Sequence, residues 1–157
     1  MLLKKIEQDF RQAIQKRDVL RLAVLRGLKT ALHNKEIELK FQKKEMTEEI
    51  VIEIVQKEAK KRREAAEMYK KGERKELADK EEKELSILNQ YLPEQLSDDK
   101  IKEIVIKVIK AVNPAGPQDF GKVMGKVMAE AKGQAQGNKV REIVQKQLNN
   151  FNHGQKK

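Results

Sequence analysis

Residues 97–112 read Ser-Asp-Asp-Lys-Ile-Lys-Glu-Ile-Val-Ile-Lys-Val-Ile-Lys-Ala-Val. Ser97 is a residue type that accepts hydrogen bonds from the free N–H groups of a helix start, and Asp98 and Asp99 put negative charge on the positive end of the helix dipole. Leu96 and Ile101 stand at the two staple positions around that cap. Ile101, Ile104, Val105, Val108, Ile109 and Val112 then recur at spacings of three and four, one apolar face of a helix. Asn113-Pro114-Ala115-Gly116-Pro117 stops it with a turn. Cap, stripe and stop agree, so this part of the chain reads as helix.

The same pattern repeats outward in both directions. Downstream, Phe120, Val123, Met124, Val127, Met128 and Ala131 form a second stripe. Gly133 and Gly137 bracket a break, and Asn138 is a candidate cap for a last helix with Val140, Ile143, Val144, Leu148 and Phe151 on one face. The tail from Asn152 to Lys157 reads as frayed. Upstream, Pro93 disfavours helix in Leu92 and so ends the helix that precedes it.

At the other end of the chain, Leu2, Ile6, Phe10, Ala13 and Ile14 predict a first helix running to about Lys16. Asp18 caps a second helix, whose stripe is Val24, Leu25, Leu28, Ala31, Leu32 and Leu39. Arg21 falls inside that stripe and must snorkel or pair with an acid. Thr47 caps a third helix, with Met46 and Val51 at the staple positions. From Lys57 to Glu84 the apolar pattern fades: 11 residues are basic and 9 acidic. Glu58–Arg62, Glu67–Lys71, Glu76–Lys80 and Asp79–Lys83 stand at the four-residue spacing that supports an exposed helix. This stretch is expected to be a solvated, partly helical connector, broken at Gly72 into two helices, the second running to about Tyr91. The expected fold is all-α: an N-terminal helical unit over 1–92 that includes the charged linker, and a three-helix unit over 93–157. Three amphipathic stripes suffice to close a small core.

The chain has 157 residues and a formal net charge of +10. That balance favours an anionic partner. Absence of cysteine excludes a disulfide framework, a thiolate metal site and a cysteine nucleophile. No apolar run reaches the ~20 residues a membrane span needs, and the N-terminus lacks the parts of a signal peptide, so a cytoplasmic protein is expected. With 4% aromatics, recognition by stacking bases on aromatic side chains has little to work with. Catalytic material is scarce. The serines are Ser86 and Ser97, and the histidines are His33 and His153; neither histidine has ligand-spaced partners. There is no phosphate-binding Gly-rich motif, and the carboxylates alternate with bases. The reading is therefore no catalytic residue, no metal and no cofactor.

One segment is more specific. Gly121 and Gly125 lie four apart in a helix, each costing about 1 kcal/mol relative to Ala. They border the face that carries Lys122 and Lys126. Two readings stand: tight packing against a neighbouring helix, or close approach of a phosphate backbone with Lys122, Lys126 and Lys132 supplying charge. The loop between Gly133 and Gly137 opens a helix, where anions bind well. From Gln118 to the end there are 8 basic and 3 acidic residues, whereas 93–117 has 4 of each. A second basic face, Arg26, Lys29 and His33, is read on the second helix.

These stretches resemble the YqeY family, also called the GatB/YqeY-domain proteins. The likeness rests on Leu25-Arg26 through Asn34-Lys35-Glu36-Ile37, on Tyr69-Lys70-Lys71-Gly72-Glu73-Arg74 through Leu77, and on Tyr91-Leu92-Pro93-Glu94-Gln95-Leu96-Ser97. It is strongest at Gly121-Lys122-Val123-Met124-Gly125 followed by Lys132-Gly133. The resemblance implies two helical domains, the second similar to the tail domain of the B subunit of the glutamine-dependent aminoacyl-tRNA amidotransferase. That tail contacts tRNA, while the chemistry lies in domains with no counterpart here. Gln136 stands where the family pattern has an acid, and Arg141 where it has Asn; the two changes raise local positive charge by two.

The resulting expectation is a non-catalytic tRNA-binding protein, an accessory to tRNA-dependent amidation. Lys122, Lys126, Lys132, Lys139 and Arg141 would contact phosphate, and Gly121, Gly125, Gly133 and Gly137 would permit approach. The partner is tRNA or another structured RNA, with an aminoacyl-tRNA amidotransferase or synthetase as candidate protein partner, and no membrane. Two alternatives are a carbon–nitrogen ligase with glutamine as amide donor, and a protein–protein adaptor that uses 57–84 as a spacer.

Overall fold

The computed structural model describes residues 1–154, and all of its regular structure there is helical. The chain divides into two compact units, Met1–Leu92 and a second beginning at Pro93. Each is considered by itself.

In the N-terminal unit, α1 (Leu2–Gln15) and α2 (Val19–Phe41) pack along each other, and α3 (Glu48–Lys71) and α4 (Lys75–Asn89) form a second helical pair. The caps read from sequence are present. Asp18 Oδ1 accepts from the Arg21 N–H at 3.0 Å, and Thr47 Oγ1 accepts from the Ile50 N–H at 3.4 Å. Ile6, Leu25, Leu28, Val51, Val55 and Leu88 are among the buried residues of one core, with Met46 packed on its edge as the staple requires. Ile14 departs from its stripe: it lies near the end of α1, half exposed at 50%. Arg21 resolves its conflict by pairing, 3.6 Å from Asp18 and 3.2 Å from Gln90. Tyr91 closes the core at 3% exposure, its hydroxyl donating to Asp9 at 2.7 Å.

The charged stretch 57–84 does not stand apart as a spacer. It forms most of the α3–α4 hairpin, within the N-terminal unit. Ala59, Ala66 and Ala78 are buried, small enough for two helices to approach closely. Ion pairs run across the hairpin as well as along each helix. Arg62 reaches Glu84 at 3.2 Å and Glu81 at 3.4 Å, and Lys70 reaches Glu82. Glu58 pairs with Lys61, three residues on, rather than with Arg62. The break at Gly72 and the second helix after it are as read; what spacing along one helix does not carry is the packing of the two, which turns the expected solvated connector into a packed element.

The C-terminal unit is a three-helix arrangement of α5 (Asp98–Val112), α6 (Phe120–Ala131) and α7 (Gly137–Gly154), each in contact with the other two. A 3₁₀ turn at Pro117–Asp119 precedes α6. Ser97 caps α5, its Oγ accepting from the Lys100 N–H at 3.4 Å, and Asn113 ends it in the left-handed region at φ 48°. Ile101, Val105, Val123, Val127, Val140 and Val144 sit at the centre of the core. Two expectations change at α7. The helix begins at Gly137, with the Val140 N–H bonded to the Gln136 carbonyl, so Asn138 lies inside the first turn and is not the cap. Asn152, His153 and Gly154 are helical rather than frayed; the rest of the predicted frayed tail, 155–157, lies outside the described residues.

Candidate nucleic-acid interface

The outer face of α6 is built by the phase of its sequence. Val123, Val127 and Ala131 turn into the core. At 100° per residue, this sends Gly121, Gly125 and Ala129 outward, with Lys122 and Lys126 beside them, and all five are exposed. A methyl group added at either glycine would meet no atom within 4 Å. Nothing within the unit packs against them, so close packing of a neighbouring helix does not explain them.

The charges around this face are sorted by pairing. Glu130, the acid of α6, lies 3.4 Å from Lys107 of α5. Lys122 and Lys126 have no ion pair among the described residues and carry undivided charge. Lys132 ends α6 at φ 45°, ψ 46°, in the left-handed region, and Gly133 follows at φ 81°. A lysine there forgoes the about 1–2 kcal/mol of relief that glycine would give. Arg141 projects from α7 toward the start of α6, its guanidinium carbon 6.0 Å from the Phe120 ring centroid.

The remaining sequence-predicted residues fall elsewhere. Lys139 lies on the other side of α7 from Arg141, 200° away, and pairs with Asp98 at the start of α5 at 2.7 Å. Its charge is spent on joining two helix starts. In the loop before α7, the Leu96 N–H bonds the Gln134 carbonyl at 2.7 Å and the Gln95 side chain bonds the Gly133 carbonyl at 3.3 Å. Gly133 is thus tied to residues 95–96, while Gly137 has open space around it. The structure therefore brings together Gly121, Lys122, Gly125 and Lys126, with Arg141 reaching toward the start of the same helix, and sets Lys139 apart.

The second basic face is divided in the same way. Lys29 turns toward α1, with its ammonium 2.7 Å from Glu7 and 4.2 Å from the Phe10 ring centroid. The hydrogen bond from Lys29 is the main reason the Glu7 carboxyl is held below its ordinary range. Arg26 and His33 stay on the outer side of α2, with His33 3.7 Å from Glu36. Sequence spacing grouped the three; Lys29 and His33 line one shallow pocket with Glu7, and it is the ion pair with Glu7 that takes up the charge of Lys29. Among the described residues no group of three or more His, Asp or Glu is placed to hold a metal ion, and no helix is long and apolar enough to cross a membrane.

A family model described as Yqey-like protein matches residues 3–148. Several curated proteins are also similar. The altered inheritance of mitochondria protein 41, mitochondrial, of Kluyveromyces lactis is 28% identical over 131 residues, which are 78% of this chain and 69% of that protein. Its namesake from Pyrenophora tritici-repentis is 25% identical over 137 residues, 86% of this chain and 74% of its own. That of Vanderwaltozyma polyspora is 32% identical over 108 residues, 69% of this chain and 57% of its own. Mitochondrial is the compartment in those proteins' names, against the cytoplasmic expectation for this chain.

Proposed function

The chain belongs to the Yqey-like protein family, and from that premise we propose that its C-terminal unit is a non-catalytic module that binds structured RNA, tRNA first, as an accessory to tRNA-dependent amidation. The observation that carries the reading is the outer face of α6: two lysines without acidic partners, one turn apart, beside two glycines with open space over them. A phosphate backbone fits such a face, because the lysines neutralise it and the missing side chains let it come close. Structured RNA is recognised largely by shape and backbone, which suits a surface poor in aromatics. Arg141 adds a fork of donors toward the start of α6.

Titration of the full chain against purified tRNA tests this. Affinity is expected to fall steeply between low and physiological salt, and Lys122→Glu/Lys126→Glu to weaken binding with the helix content unchanged. Absence of binding at low salt, or binding indifferent to salt, refutes the reading. Unchanged affinity in the double variant removes α6 from the site.

A further inference from the structure

The face of α2 turned away from its core carries an uncharged stripe. Ala23, Gly27, Thr30, Asn34, Ile37 and Phe41 recur at alternating spacings of four and three, and every one is exposed. By helix phase they lie opposite the buried Val24, Leu25, Leu28, Leu32 and Leu39. The outer face of a surface helix ordinarily carries its charges. Here, in a chain of which 38% of residues are charged, the outer stripe carries none over its whole length. Its C-terminal end is apolar, with Ile37 at 42% and Phe41 at 86% exposure. Its N-terminal half is small, and a methyl group added at Gly27 would meet no atom within 4 Å. A mid-helix glycine costs about 1 kcal/mol, and nothing in the unit's own packing uses it.

Spacings of four and three are those of a seam that receives another helix. The edges of the stripe say which helix. Arg26, His33 and Lys40 run along one edge, and Arg26 has no ion pair among the described residues. The acid beside this edge, Glu36, is shared between Lys40 at 3.1 Å and His33 at 3.7 Å. Along the other edge Lys35 and Glu38 pair at 2.8 Å and cancel. A second copy of α2 laid antiparallel on the seam would bring the basic edge against itself, Arg26 toward Lys40 and His33 toward His33. Arg26, which no acid answers among the described residues, therefore disfavours an antiparallel second copy and favours an acidic partner. We infer that this face docks an amphipathic helix of a partner protein, with apolar residues at the seam positions and Asp or Glu facing the Arg26–His33–Lys40 edge.

The test uses the full chain and two fluorescent 21-residue peptides. Both have Leu at the seam positions; one carries Glu at the flanking positions and the other Lys. The Glu peptide is expected to bind at least tenfold more tightly than the Lys peptide. Ile37→Glu/Phe41→Glu should weaken it at least tenfold, and so should Gly27→Gln, which fills the seam from an open position. The inference is overturned if neither peptide binds, if both bind alike, or if the variants leave binding unchanged. It is overturned equally if sedimentation shows self-association that Ile37→Glu/Phe41→Glu abolishes, or if that variant lowers tRNA affinity, which would assign the face to RNA.

Discussion

Replacing Gly121 and Gly125 together by Ala separates what the fold wants from what the proposed site wants. Gly125 lies in the middle of α6, where Ala is favoured by about 1 kcal/mol. Gly121 is in the first turn, where fraying reduces the gain to about 0.5 kcal/mol. Because an added methyl meets no atom within 4 Å at either position, no steric cost offsets these gains. The sum, about 1.5 kcal/mol, corresponds to roughly tenfold slower hydrogen exchange of the protected α6 amides, measured in the full chain. Two methyl groups also raise the floor on which a phosphate backbone would settle. Affinity for tRNA is expected to drop by about tenfold, whereas the salt slope stays as it was because no lysine has been removed. Faster exchange in α6 would mean that something packs on these glycines after all. Slower exchange with unchanged tRNA affinity would mean that the glycines do not serve approach.

Three further outcomes follow from single contacts. Lys132→Gly relieves a left-handed backbone that Lys132→Ala keeps, so calorimetry should find the glycine variant more stable by about 1 kcal/mol, with equal and reduced tRNA affinity in both. Burial, then the hydrogen bond to Asp9, raises the Tyr91 hydroxyl pKa well above its ordinary value. The folded chain thus keeps a proton that the unfolded chain loses above about pH 10, so stability should decline in alkali from there upward. Tyr91→Phe should cost about 1 kcal/mol at neutral pH and flatten that decline, as read by urea melts across pH. Arg62→Met leaves Glu84, which is 7% exposed, with the longer contact to Lys80 at 4.0 Å, and should cost about 2 kcal/mol, discounted for that contact and because Arg62 itself is partly solvated. Arg62→Met/Glu84→Met should recover most of that loss in denaturant melts.

Helices with a cap and a stripe were legible in the sequence. Asp18, Thr47 and Ser97 cap as read, because a cap is a contact between residues three apart. What depends on a second helix was not. Residues 57–84 read as a solvated connector broken at Gly72; only the packing of α4 on α3 shows Arg62 facing Glu81 and Glu84. The same blindness affected the candidate site. The lysine at 139 is one more positive charge until α5 brings Asp98 to it, and the glycines at 121 and 125 are ambiguous until their surroundings are seen to be open. The outer stripe of α2 was legible, since it is a helical period in plain view. It lacks the apolar signature of a core face, because Gly27, Thr30 and Asn34 are not apolar.

Net charge cannot say where an anion binds, because a basic residue is available only when the fold has not already used it. In the α3–α4 hairpin, Arg62 and Lys70 answer acids across the helix pair, so their charge stabilises the hairpin and is screened from a partner. Lys29 is held between Glu7 and Phe10, and Lys139 holds Asp98. On α6 the logic runs the other way: Lys107 of α5 takes up Glu130, so the helix is relieved of the acid that would have shielded its lysines. The field of Lys122 and Lys126 is left to solvent on a face that two glycines keep low. Removing that diversion tests the argument. Lys107→Ala frees Glu130 to swing toward Lys126, four residues before it and thus one turn away. A modest loss of tRNA affinity, about two- to threefold, is expected although Lys107 itself is not among the proposed contacts. An undiminished affinity would show that pairing within the unit does not govern the charge its α6 face presents.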